Sequence, residues 1–114
     1  MPIRVHHSHF VSPACAVEEI EAMGLHLVEM DVPAVSNQSH WHRFSTRIYI
    51  LQGQLQITDS GLGQSFTAGP GDLVEVPERV LHAEHSPLGY SIIAGMSVAP
   101  ASLEEPVDLD PDLL

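Results

Sequence analysis

Two histidines one residue apart, His40-Trp41-His42, are the first residues in this chain equipped for chemistry. Side chains two apart share a face of an extended strand, so both imidazoles can reach one metal ion. The other histidines are His6, His7, His9, His26, His82 and His85. His6, His7 and His9 read as a loose arm or an edge strand, where close imidazoles collect metal adventitiously. His26 and His85 read as hydrogen-bonded or exposed rings. Other chemistries lack their signatures: the chain has no glycine-rich phosphate loop, no strand-elbow serine and no zinc-finger cysteine pattern. Cys15 stands alone, which excludes an internal disulfide, and no basic neighbour activates its thiolate.

Charge narrows the partners. Fifteen acidic residues against four arginines, with no lysine, give a formal net charge of -11. A nucleic acid is excluded as partner because phosphate binding needs a basic surface. An anionic membrane is disfavoured on the same ground. No apolar run approaches the length needed to cross a bilayer. The N-terminal MPIRVHHSHF lacks the apolar stretch of a signal peptide, and with one lone thiol the expected compartment is the cytoplasm. With 114 residues and 44% apolar composition, one folded domain is expected.

These histidines need strands to position them. Ser12-Pro13 signals a helix start and Gly24 its end, with Ala14, Val17 and Ile20 as a narrow apolar stripe. Beyond Gly24 the period changes to two. Strand character runs through residues 25–30, 42–50, 55–57, 66–68, 73–76, 80–85 and 90–98, broken by Asp59-Ser60-Gly61, Gly69-Pro70-Gly71-Asp72 and Ser86-Pro87-Leu88-Gly89. This predicts an all-β fold, a small β-barrel or jelly roll, with a short N-terminal helix. The expected divisions are an arm and helix over 1–23, the barrel over 24–98 and an acidic tail over 99–114. The tail, ending ASLEEPVDLDPDLL, is expected to lie along the surface or across a partner, tied down by Leu103, Val107, Leu109 and the final leucines. Barrel edges and this tail also predict a homodimer.

Forty residues after His42 comes His82, and the two stretches together resemble the cupin family. The first cupin motif runs glycine, five residues, His-x-His, three or four residues, glutamate, six residues, glycine. Here it reads Ala34, VSNQS, His40-Trp41-His42, RFS, Thr46, RIYILQ, Gly53. The second runs glycine, five residues, Pro-x-Gly, two residues, histidine, three residues, asparagine. Here it reads Gly71, DLVEV, Pro77-Glu78-Arg79, VL, His82, AEH, Ser86. Four positions depart from the pattern: Ala34, Thr46, Arg79 and Ser86.

The resemblance implies a jelly-roll (double-stranded β-helix) barrel and one divalent metal ion, iron, manganese, nickel, copper or zinc, held by His40, His42 and His82. Thr46 stands where the family's glutamate ligand would be, which leaves three neutral imidazoles. Such a set is similar to the all-histidine centres of some cupin-like dioxygenases. Glu84, two residues past His82 on the same strand face, is the acid placed to act as ligand, partner or general base. Thr46, Phe44 and Arg79 are the expected contacts to substrate, a small organic molecule. The resulting expectation is a metal-dependent enzyme of dioxygenase type. The alternatives are a non-catalytic binding or sensor barrel, and a metal-dependent isomerase or decarboxylase.

Overall fold

The computed structural model describes residues 2–114. Its strands are β1 (Arg4–His6), β2 (His26–Val32), β3 (Val35–Ser36), β4 (Thr46–Gly53), β5 (Leu55–Asp59), β6 (Gln64–Ala68), β7 (Leu73–Val76), β8 (His82–Ser86) and β9 (Tyr90–Met96), with one helix, α1 (Pro13–Ala22), after β1. They form two antiparallel sheets, in the orders β1-β7-β4-β9-β2 and β3-β8-β5-β6.

The apolar pattern explains which strands sit where. In β4, Ile48 and Ile50 face the space between the sheets, while Tyr49 faces the other way, beneath α1. In β9, Tyr90, Ile92 and Ala94 face inward and Ile93 outward. Strands covered on both faces read as continuous apolar runs, which is why Ile48–Leu51 and Ile92–Met96 hold central positions. The inner core joins these residues to Leu55, Ile57 and Ala68 of the second sheet. A second core packs Ala16 and Ile20 of α1 on Tyr49, Leu73 and Ile93. Full burial of a side chain the size of Ile20 contributes about 1.5–3 kcal/mol.

The helix follows its sequence signals. The Ser12 hydroxyl accepts from the Cys15 amide, Pro13 occupies the first turn, and Gly24 leaves in the left-handed region at φ +68°. Its buried stripe is Ala16 and Ile20; Ala14 is exposed instead. Gly53, ending β4, is required for space: its φ is +82°, and an added Cβ would collide with the Gly89 carbonyl.

The expected all-β barrel is corrected on two counts. A ten-residue helix forms part of the packed structure, so the fold is mixed α and β. Neither sheet closes on itself: β1 and β2 remain edges of the first, β3 and β6 of the second. With three and two residues, β1 and β3 are too short to zip the sheets together along those edges. Another correction matters for the site. Strand β4 begins at Thr46, whereas His40 and Trp41 sit in isolated bridges and His42 in neither strand nor bridge.

Candidate metal centre

Three pieces of chain bring the histidines together. His82 opens β8, and His40 lies antiparallel to it, with amide–carbonyl bonds of 2.8 and 2.9 Å in both directions. His42 follows two residues later, its ring stacked on Phe44 at 4.9 Å between centroids and 17° between planes. The ring centroids are 4.5 Å apart for His40 and His82, 5.0 Å for His40 and His42, and 5.1 Å for His42 and His82. One ligand atom from each ring lies within 4.8 Å of the others. His40 is 7% exposed and His82 2%.

What each ring does with its second nitrogen decides the chemistry. The Nδ1 of His40 lies 2.8 Å from the Gln38 carbonyl oxygen, that of His42 3.1 Å from Val107, and that of His82 2.8 Å from Val80. A carbonyl only accepts, so each Nδ1 carries the proton and donates it. Each Nε2 therefore keeps a free lone pair, the arrangement that metal-binding imidazoles need. Burial pushes the His82 imidazole below its ordinary pKa, and the neighbouring His40 and His42 rings push the same way, against the Val80 hydrogen bond and Glu84. The neutral, ligating form is favoured. Ring chemistry, tautomers and spacing all fit a divalent ion.

Two carboxylates border the cluster. Glu84 Oε1 lies 3.7 Å from His82 Nε2 and 4.0 Å from His40 Nε2. Its other oxygen accepts a 2.9 Å bond from the buried Tyr90 hydroxyl, and its amide donates to Asn37 Oδ1 at 2.7 Å. Burial and the adjacent carboxylate hold the Tyr90 phenol well above its usual pKa, so it stays a donor. Asp108 borders the cluster on another side, 3.6 Å from His42 Nδ1 and 4.0 Å from His40 Nε2.

The remaining expected site residues are placed less directly. Thr46 heads β4 between Val76 and Met96, and among the described residues no hydrogen bond joins it to the histidines. Phe44 touches the site through its stack on His42. Arg79 is exposed, its guanidinium 5.4 Å from the Trp41 ring centroid and its amide bonded to the His42 carbonyl at 2.9 Å. Its φ of +63° explains why the motif carries glycine there, and an arginine holds that conformation at a cost of about 1–2 kcal/mol. His85 is exposed, as expected of an outward strand position. The His6 and His9 rings lie 5.8 Å apart, but among the described residues the N-terminal histidines form no group that could share an ion. His6, His7 and His9 approach three separate acids, Glu75, Asp72 and Glu19.

Tyr90 and Asp108 were missed from sequence. The alternation of Tyr90 with Ile92 and Ala94 was a legible sign that its ring points inward. The tail gave no such sign. It lies along the surface and is held by two of the residues expected to tie it down, Leu109 pairing with Trp41 and Val107 meeting His42. Leu109 is buried, while Leu113 and Leu114, expected to anchor the end, are exposed. Between the tail and Phe44 lies a cavity of about 510 Å³, walled by Arg43, Phe44, Leu103, Val107 and Leu109. A larger one, about 650 Å³, lies by Phe10, Pro13 and Gly71 and shares no residue with the histidine cluster. Phe44 and Val107, which both contact His42, line the smaller cavity, although no histidine does.

Among solved structures, the chain is similar to a TDP-quinovose 3,4-ketoisomerase from Campylobacter jejuni, with 10% identity and a TM-score of 0.57 over 74% of this chain and 68% of that one. It is similar also to the polyketide cyclase RemF from Streptomyces resistomycificus, with 24% identity and a TM-score of 0.51 over 69% and 61%. An oxalate decarboxylase with Mn(II) centres from Bacillus subtilis aligns over 96% of this chain and 28% of its own, with 21% identity and a TM-score of 0.54. At such identities the likeness shows the fold alone. No curated protein sequence matches. Among the described residues no helix is long and apolar enough to cross a membrane. The sequence model of the cupin domain matches residues 26–87, more than half the chain and all three histidines. This protein belongs to the cupin domain family.

Proposed function

We propose that this protein is a metal-dependent enzyme acting on a small organic molecule, with its divalent ion held by His40, His42, His82 and Glu84. The observation that carries this is the set of three buried or half-buried rings whose Nδ1 atoms are all committed to backbone carbonyls, leaving three Nε2 lone pairs without a hydrogen-bond partner among the described residues. Glu84 supplies from β8 the carboxylate that the motif would place at Thr46. Such an ion, when bound, polarises a substrate oxygen as a Lewis acid or, if redox-active, supports reaction with dioxygen. The chain's own groups do the rest. Tyr90 holds Glu84 in place, Phe44 and Trp41 keep water from the rings, and the cavity beside Phe44 receives the substrate.

Oxidation by dioxygen is the leading reaction, since three of the four ligands are neutral imidazoles. A metal-dependent isomerase or decarboxylase is the second reading, favoured by Glu84 Oε1. That oxygen faces the centre and makes no hydrogen bond among the described residues, so in this reading it acts as a base instead of a ligand and moves a proton on a bound substrate.

Metal content of untagged protein by inductively coupled plasma mass spectrometry tests the proposal. The wild type is compared with His82→Ala and with a His6→Gln/His7→Gln/His9→Gln variant. Substitution is preferable to deletion of the arm, because Arg4–His6 forms β1 and Ile3 is buried. Near one ion per chain is expected in the wild type and the triple variant, and none in His82→Ala. No uptake by the wild type after anaerobic supplementation with iron, manganese, nickel, copper or zinc would overturn the reading in favour of a non-catalytic binding protein. The ion found then selects between assays of oxygen consumption and of isomerisation or decarboxylation.

A further inference from the structure

The C-terminal segment is tied to the histidine motif at four points. The Trp41 amide donates to the Leu109 carbonyl at 3.2 Å, and the Leu109 amide donates back at 3.0 Å. The Trp41 indole N–H donates to the Asp110 carbonyl at 2.9 Å, and His42 Nδ1 donates to the Val107 carbonyl at 3.1 Å. The backbone on both sides of residue 108 is therefore fixed to the residues beside the candidate ligands. The Asp108 side chain is not: it is 64% exposed, and among the described residues its ion-pair contacts are His40 and His42. Glu84 Oε1 faces the Nε2 atoms of His40 and His82, while Asp108 Oδ1 lies 4.0 Å from His40 Nε2 and meets His42 on its Nδ1 side, at 3.6 Å.

We propose that Asp108 is a second carboxylate ligand of the ion, delivered by this C-terminal strap and exchangeable for substrate. The inference rests on the metal-centre reading above. Charge supports it. A divalent ion with three neutral imidazoles and Glu84 retains one positive charge in a site where His40 and His82 are almost wholly buried. A second carboxylate brings the total to zero, which lowers the cost of keeping the ion out of water. Exposure makes Asp108 the ligand most easily exchanged, whereas Glu84 is restrained by Tyr90. An anionic substrate oxygen, of a carboxylate or an enolate, replaces it with no change in net charge. The same strap carries Val107, whose carbonyl fixes the His42 tautomer, so strap and ligand set form together.

The test is Mn(II) affinity of the full chain, measured by competition with a fluorescent chelator for wild type, Asp108→Asn, Asp112→Asn and His82→Ala. Visible absorption of the Co(II)-loaded protein gives a second readout. Asp112 is an exposed acid of the same tail, so its loss changes the charge equally without touching the cluster. Asp108→Asn is expected to weaken Mn(II) binding about 10-fold or more and to shift the Co(II) bands, with Asp112→Asn at the wild-type values. Equal weakening by both asparagine variants would overturn the proposal, reducing Asp108 to a distant charge. Unchanged affinity in Asp108→Asn, with uptake abolished in His82→Ala, would overturn it while leaving the metal centre standing. Unchanged uptake in His82→Ala would overturn the underlying reading instead.

Discussion

Two polar clusters lie on opposite faces of the five-stranded sheet, and they differ in what they leave over. Beneath α1, Arg47 reaches Glu75 at 2.6 Å, Glu19 at 2.9 Å and the Tyr49 hydroxyl at 3.0 Å, while Tyr49 and His9 both bond Glu19. Every charge in that network is met by another member. Among the three central histidines, each ring satisfies one nitrogen against the backbone and leaves the other unmet. A cluster that converges without satisfying itself is where a ligand belongs, and one that closes on itself holds the fold together.

Four measurements sharpen or break this contrast. The largest effect comes from the ion: at one hundred times its dissociation constant, Mn(II) should stabilise the wild type by about 2.7 kcal/mol against urea, and His82→Ala not at all. Stabilisation of both proteins alike would place the ion elsewhere. Next, Arg47→Met should cost about 1–3 kcal/mol by stranding Glu19, Glu75 and the Tyr49 hydroxyl, with metal content unchanged. A loss of metal in that variant would join the two clusters that the contrast separates. Tyr90→Phe should then weaken Mn(II) about 10-fold through a loosened Glu84, measured by chelator competition, while the fold survives. The smallest effect is that of pH on the metal-free protein. The folded His82 ring has the lower pKa, so between the two pKa values the unfolded chain binds more protons. Its contribution to stability is complete above the ordinary imidazole pKa and declines as pH falls toward the folded value. In His82→Ala the denaturation midpoint should fall less steeply over that range.

Much of this was legible because local rules and global packing agree. Ser12-Pro13 and Gly24 bounded a helix that formed where expected. Motif spacing brought His82 to His40 and His42 although the reasoning from strand alternation was only partly right. His40 and His42 precede β4, and a bridge to β8 aligns His40 instead of a regular strand. Glu84 was legible because β8 is regular enough for His82 and Glu84 to share a face. Barrel closure was not, since strand patterns state which face is apolar and say nothing of whether edges meet. The tail was least legible of all. Its position depends on backbone bonds from Leu109 and Asp110 to Trp41, and a backbone donor or acceptor leaves no mark on residue type.

Trp41 is the chain's single tryptophan, and it stands between two of the candidate ligands with its indole N–H bound to the tail. The protein thus carries a built-in optical gauge at the spot where its chemistry is proposed. A paramagnetic ion settling among the histidines would dim that indole, and release of the strap would let water in and redden its emission. Loading and unlatching can be followed in real time on unlabelled protein, each with its own spectral sign.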